Sequence, residues 1–87
     1  MKISNNFVLK KVADSYIVVA LGGNTVDLNT IITLNDTGAF IWKQLENETT
    51  AKAVAKELAK EYDVSEEKAE EDVLAFIQKM TEAGLME

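Results

Sequence analysis

Five carboxylates lie within the seven residues 66–72 and are the side chains best placed to do chemistry. They are Glu66, Glu67, Glu70, Glu71 and Asp72. Such a cluster can hold a metal ion or supply an acid/base pair. The same residues open a helical pattern, and the helix dipole stabilises carboxylates at a helix N-terminus. We therefore favour a solvated helix start, since no stretch has the alternating oxygen ligands and central glycine of a calcium loop.

The composition removes most other catalytic chemistry. The 87 residues include no His and no Cys, so the commonest general base, a thiol nucleophile, a disulfide and a zinc cluster are all excluded. Nine basic residues against fifteen acidic ones give a net charge of −6, which argues against binding to nucleic acid. The sequence therefore predicts a protein that is not an enzyme and needs no cofactor and no metal.

Signals for membrane insertion and secretion are also lacking. No apolar run approaches the ~18 residues that a membrane span needs. The N-terminal residues do not form a charged segment followed by an apolar core. We therefore predict a cytoplasmic protein with no membrane partner. Its length and its hydrophobic fraction of 47% predict a single globular domain over residues 1–87.

Three smaller features have structural interpretations. Gly22-Gly23 lacks the spacing, the lysine and the following helix of a phosphate-binding loop, so it predicts a tight turn. Lys10-Lys11 is too short for a nucleic-acid patch and is expected to protect a strand edge from pairing. Leu74 lies roughly 100° around its helix from Val73 and so falls off the main apolar stripe. It would belong to a binding surface if it borders a groove beside the third strand.

Three runs typical of β-strands occupy the first part of the chain. They are Phe7–Val12, Tyr16–Leu21 and Thr30–Leu34. Polar residues at 13–15 and glycines with asparagine at 22–24 separate them, as expected for turns. The second run is continuous in apolar residues rather than alternating, which indicates a central strand or burial on both faces. Two antiparallel hairpins would link the three strands.

Three helices follow, and each begins after a polar residue suited to be its N-cap: Asn35, Thr50 and Ser65. The third helix carries an apolar stripe at helical spacing, made of Ala69, Val73, Phe76, Ile77 and Met80. Gly84 is placed for a left-handed C-cap, with Leu85 folding back on Met80. Strands followed by helices predict an α+β fold with the helices on one face of the sheet.

This order of elements resembles the PqqD-like family, the recognition elements for precursor peptides of ribosomally synthesised, modified natural products. The segments that carry the resemblance are VLKKVADSYIVVAL, ITLNDTGAFIWKQLE, TTAKAVAKELAKEYDVS and DVLAFIQKMTEAGLM. The family often has a Pro-Glu-Gly turn after its second strand. This chain has a longer segment without proline there, at residues 22–27.

The resemblance implies a winged-helix-like domain that binds the leader segment of a precursor peptide between its third strand and third helix. The leader adds a strand to the sheet and is presented to a maturation enzyme, often a radical S-adenosylmethionine (SAM) enzyme. The family's namesake serves pyrroloquinoline quinone (PQQ) biosynthesis. Strand addition needs an unpaired sheet edge and pockets for alternate side chains. The predicted peptide-binding residues are Thr30, Ile31, Ile32, Thr33 and Leu34 in the strand, and Val73, Leu74, Phe76 and Ile77 in the helix.

Two other functions remain open from the sequence. A winged-helix DNA-binding regulator also combines three helices with a small sheet, but it requires a basic recognition helix, whereas the third helix here begins with acids. A scaffold subunit would join two maturation enzymes through its apolar surface without binding a precursor. The sequence leaves open whether the chain is a monomer or a dimer.

Overall fold

Three strands followed by three helices make up the described part of the chain, which is residues 1–21 and 32–87 of a computed structural model. The elements are β1 (Phe7–Val12), β2 (Ser15–Ala20), β3 (Ile32–Leu34), α1 (Asp36–Leu45), α2 (Ala51–Tyr62) and α3 (Glu66–Glu82). The predicted α+β fold is confirmed. The predicted turn at 22–24 and the strand residues Thr30 and Ile31 lie outside the described residues.

The strands form an antiparallel sheet in the order β1-β2-β3, so β2 is the central strand, which is one of the two possibilities that its continuous apolar run leaves open. Ala13 and Asp14 form the turn between β1 and β2, because Val12 pairs with Ser15. Ala13 has a φ of 55°, in the left-handed region. That conformation costs a residue with a Cβ atom about 1–2 kcal/mol, so the hairpin carries local strain.

All three predicted helix N-caps are confirmed, because each side-chain oxygen accepts a hydrogen bond from a backbone N–H of the first turn. The N–H of Gly38 donates to Asn35 (2.8 Å), that of Ala53 to Thr50 (3.1 Å) and that of Lys68 to Ser65 (3.1 Å). Each bond satisfies one of the backbone donors that a helix start leaves unpaired. The caps therefore define where the three helices begin.

The end of α3 is closed by the predicted left-handed glycine. Gly84 has a φ of 82°. Its N–H donates to the carbonyl of Thr81 (3.1 Å), and the N–H of Leu85 donates to the carbonyl of Met80 (2.9 Å). This is the Schellman pattern of hydrogen bonds. Leu85 and Met80 both belong to the core cluster, so the chain does fold back at this point.

One hydrophobic core lies between the sheet and the helices. Its largest fully buried side chains are Trp42, Ile41, Leu45, Leu58, Met80, Val18, Val54 and Val73. α3 packs mainly against α2, whereas α1 is the helix that packs against β3. The helices thus cover one face of the sheet while few residues of α3 approach β3.

The N-terminal segment covers one end of this core, next to the ends of α1 and α3. The sequence does not predict this contact. Ile3 is buried and forms an isolated β-bridge with Met86. Its N–H donates to the carbonyl of Leu45 (2.8 Å), and the N–H of Ser4 donates to the carbonyl of Leu85 (2.8 Å). The two ends of the chain are therefore held together by backbone hydrogen bonds.

Candidate functional site

β3 lies at an edge of the sheet, and among the described residues β2 is its only strand neighbour. Ile32, Thr33 and Leu34 pair with Val18, Ile17 and Tyr16. In an antiparallel edge strand, about half of the backbone N–H and C=O groups point away from the single partner. The backbone of β3 can therefore pair with one further strand.

The side chains of β3 alternate between the core and the outer face of the sheet. Leu34 is buried in the core and Ile32 is half-buried against it, while Thr33 is exposed on the opposite face. An added strand would therefore find apolar side chains on the core side of β3 and a hydroxyl on the other side.

The four predicted residues of α3 do not share one surface. Val73 is fully buried, Phe76 and Ile77 are half-buried against the core, and Leu74 is 50% exposed. Because a helix turns about 100° per residue, Leu74 and Phe76 point roughly 160° apart, toward opposite flanks of α3. A single peptide strand beside β3 can contact only one of these flanks directly.

An open cleft lies between the first turns of α1 and the flank of α3 that carries Phe76. Its volume is about 320 Å³, and we call it the α1–α3 cleft. It is lined by Asn35, Thr37, Gly38 and Ile41 on one side and by Asp72, Ala75 and Phe76 on the other. Asn35 directly follows β3, so the cleft lies next to the end of that strand.

Sequence reasoning missed most of this cleft. It identified Asn35 only as a helix cap and placed Asp72 only in the acidic helix start. The available signal is that Thr37, Gly38 and Ile41 share one side of α1 at helical spacing. Nothing in that spacing says which neighbour this side of α1 faces, so the cleft follows from the packing of α1 beside α3.

Negative charge borders both flanks of α3. In the α1–α3 cleft, Asp72 Oδ1 lies 3.2 Å from Lys68 Nζ in an exposed ion pair. The hydrogen bond and charge of Asp72, with a smaller contribution from Glu71, raise the pKa of Lys68. On the other flank, a depression of about 430 Å³ is lined by Glu66, Glu67, Glu70, Glu71 and Leu74. This surface favours a partner that carries positive charge.

Two kinds of feature are absent from the described residues. Within residues 1–21 and 32–87, no three acidic side chains converge as they would around a metal ion. None of the helices in this part of the chain is long and apolar enough to cross a lipid bilayer.

The comparison with protein families decides the relationship that the sequence suggested. The model of the family described as coenzyme PQQ synthesis protein D (PqqD) matches residues 16–86, from β2 to the last residues after α3. This chain belongs to the PqqD family. The predicted resemblance is thereby confirmed over most of the chain. No curated protein matches this PqqD-family chain.

Two solved structures resemble this PqqD-family chain over more than 90% of each chain. TbiB1, solved in complex with the TbiA(beta) leader peptide, is 25% identical and superposes with a TM-score of 0.77, over 100% of this chain and 95% of TbiB1. A lasso peptide synthetase B1, solved in complex with the leader peptide, is 23% identical with a TM-score of 0.74, over 97% and 93% of the two chains. At that lower identity, the second likeness shows the shared fold.

Proposed function

We propose that this PqqD-family chain binds the leader segment of a ribosomally made precursor peptide and presents it to a modifying enzyme. The observation that carries the proposal is the edge of β3, which has no strand neighbour other than β2 among the described residues and ends beside the α1–α3 cleft. Both structural neighbours are described as bound to a leader peptide, which supports the same ligand class here. The chain would act as one non-catalytic domain over residues 1–87, in the cytoplasm.

The leader would bind as a fourth strand on β3. Backbone hydrogen bonds would come from Ile32–Leu34, and the predicted residues Thr30 and Ile31 would extend this edge. Such pairing tolerates many sequences, because it uses main-chain groups. Affinity would therefore depend on backbone pairing, and selection among peptides on the side chains beside β3.

Those side chains have distinct tasks in the proposal. Phe76 would contact apolar residues of the leader in the α1–α3 cleft, because it lines that cleft and is only half-buried. Ile77 is also half-buried, but it lies about 100° around α3 from Phe76, on the side of Leu74, so it would contact only a leader that crosses α3. Leu34 and Val73 would support the site from the core, since the folded chain leaves little or none of their surface accessible. Leu74 would contact only a leader long enough to reach the second flank of α3.

Charge would select leaders that carry Lys or Arg next to the apolar residues. Asp72 in the α1–α3 cleft is paired with Lys68, but both side chains are exposed, so an incoming cation can exchange with Lys68 at little cost. The net charge of −6 would also speed the encounter with a basic peptide. A leader without basic residues would bind more slowly and more weakly.

The class of the modifying enzyme is a further part of the proposal. The family resemblance predicts a radical SAM enzyme, and the family description refers to PQQ synthesis. The second structural neighbour is instead a lasso peptide synthetase component. An association assay with the enzymes encoded beside this chain's gene, with and without the precursor, would distinguish these classes and the scaffold alternative.

A titration followed by NMR tests the peptide proposal directly. The ¹⁵N-labelled chain is titrated with synthetic leader segments of short precursor genes that neighbour its own gene. We expect the amide signals of Ile32–Leu34 and of α3 near Phe76 to shift and saturate. If no such peptide shifts these signals, the proposal is wrong.

A pair of variants links the shifts to the edge of β3. Ile32→Asp places a charge on this edge and should weaken leader binding more than tenfold. Val12→Asp is the matched control, because Val12 lies on the opposite edge strand and is 53% exposed. Both variants are first checked for a native amide spectrum. A folded Ile32→Asp variant with unchanged affinity would exclude this edge as the binding site.

A further inference from the structure

A second cleft lies on the side of α1 that faces away from the α1–α3 cleft. It has a volume of about 360 Å³, at the lower end of the roughly 300–1,000 Å³ range of ligand pockets. Its principal lining side chains are Lys11, Tyr16, Asp36, Phe40, Lys43 and Tyr62. They come from β1, β2, α1 and the end of α2, so only the tertiary fold brings them together.

Two ammonium groups share one aromatic ring in this second cleft. Lys11 Nζ and Lys43 Nζ each lie 5.7 Å from the centroid of the Tyr16 ring, within the range of a cation–π contact. Lys11 is the cross-strand partner of Tyr16 on β1, whereas Lys43 reaches the ring from α1. Among the described residues, neither lysine forms an ion pair with a carboxylate. Two ammonium groups thus lie beside the same ring.

An apolar wall adjoins the two lysines. The rings of Phe40 and Tyr62 meet edge to face, with their centroids 5.9 Å apart, and Tyr62 is 40% exposed. Asp36 is the single carboxylate of the lining, so two lysines give this cleft a positive balance in a chain of net charge −6. A ligand that carries a carboxylate next to an apolar side chain would fit this cleft.

We infer that this second cleft is a docking site for an acidic segment of a partner protein. A glutamate or aspartate of the partner binds between Lys11 and Lys43, and a neighbouring apolar side chain packs on Phe40 and Tyr62. A protein segment is favoured over a free phosphate because a phosphate would leave the aromatic wall unused. The identity of that partner as the modifying enzyme rests on the proposed function.

The two clefts can be occupied at the same time. Residues 37, 38 and 41 face the α1–α3 cleft, whereas residues 36, 40 and 43 face the second cleft. At about 100° per residue, these two sets lie on opposite sides of α1. A basic leader on one side and an acidic partner segment on the other would therefore not compete, as presentation of a peptide requires.

An NMR titration of the full chain with defined probes tests this inference. The acidic probe is acetyl-Glu-Leu-Glu-Leu-Glu-amide, and its neutral match is the same peptide with Gln for Glu. We expect the acidic probe to shift the signals of Lys11, Tyr16 and Lys43, and the neutral probe to leave them unchanged. The double variant Lys11→Gln/Lys43→Gln should bind the acidic probe roughly fivefold more weakly, as for two solvent-screened ion pairs.

Controls separate this surface from a general charge effect and from the leader site. Lys52→Gln/Lys56→Gln removes two exposed lysines of α2 and should leave the affinity for the acidic probe unchanged. The inference is overturned if this control weakens binding equally, if the neutral probe binds as well, if inorganic phosphate shifts the same signals as strongly, or if Tyr16 does not respond. The Lys11→Gln/Lys43→Gln variant should keep the leader affinity of the unsubstituted chain. If the unsubstituted chain does not bind a leader but does bind the acidic probe, only the proposed function is refuted.

Discussion

Replacing Asn35 with alanine should damage both the stability and the peptide binding of this chain. Asn35 accepts a hydrogen bond of 2.8 Å from the N–H of Gly38, and loss of such a cap costs about 1 kcal/mol. For a domain of this size, each 1 kcal/mol lowers the melting temperature by roughly 4–8 °C. Asn35 also lines the α1–α3 cleft together with Thr37 and Gly38, so the same change loosens one wall of the proposed leader site.

The effect on leader affinity follows from the same hydrogen bond. If the peptide must order the first turn of α1 that Asn35 no longer holds, binding loses up to about 1 kcal/mol, or about fivefold in Kd. A loss of 1 kcal/mol from a typical stability of about 5–15 kcal/mol leaves nearly all molecules folded at 25 °C. Reduced stability by itself therefore does not change the measured Kd.

The other two helix caps are matched controls for this experiment. Thr50→Ala and Ser65→Ala remove equivalent cap bonds of 3.1 Å, but neither residue lines the α1–α3 cleft. Calorimetry should show similar stability losses for all three variants, while isothermal titration with the leader peptide should show weaker binding only for Asn35→Ala. Equal binding losses in all three, or an unchanged Kd in Asn35→Ala, would refute the reasoning.

Three further changes have defined expected outcomes. Ala13→Gly should raise the free energy of unfolding in urea by up to about 1 kcal/mol, because glycine accepts the φ of 55° and its entropy cost offsets only part of the gain. A lower urea midpoint than that of the unsubstituted chain would contradict the strain. Met80→Ala should cost about 2–5 kcal/mol in denaturant unfolding, because Met80 is fully buried, and a loss below 1 kcal/mol would mean that the core collapses around the cavity. Phe76→Ala should weaken leader binding about tenfold, whereas Leu74→Ala, on the opposite flank, should change it less than twofold. A larger loss of affinity for Leu74→Ala than for Phe76→Ala would place the peptide on the flank of α3 that carries Leu74.

Much of the secondary structure follows from signals within a few residues. The caps at Asn35, Thr50 and Ser65 and the left-handed Gly84 are local hydrogen-bonding and steric effects, and all of them occur as predicted. The continuous apolar run of β2 also indicates either a central position or burial on both faces, and the structure gives it the central position. Short-range physics is sufficient for these features.

The sites depend on contacts between distant parts of the chain. The spacing of Leu74 and Phe76 shows that they diverge, but only the packing of α3 beside α1 selects Phe76 for the cleft. Likewise, Lys11 and Lys43 look like ordinary surface lysines until β1 and α1 bring both to the Tyr16 ring.

The amino-acid sequence by itself determined that this chain is an α+β protein with the composition of a binding module, because composition, caps and periodicity are properties of neighbouring residues. It also placed β3 at a sheet edge, since three sequential strands joined by hairpins leave the third at the end of the sheet. The tertiary structure alone decided which side chains surround that edge and that α1 separates two clefts. The physical reason is that the apolar faces of α1 and α3 are buried in one core. This burial fixes how the two helices are rotated, and so determines which of their other faces line the clefts.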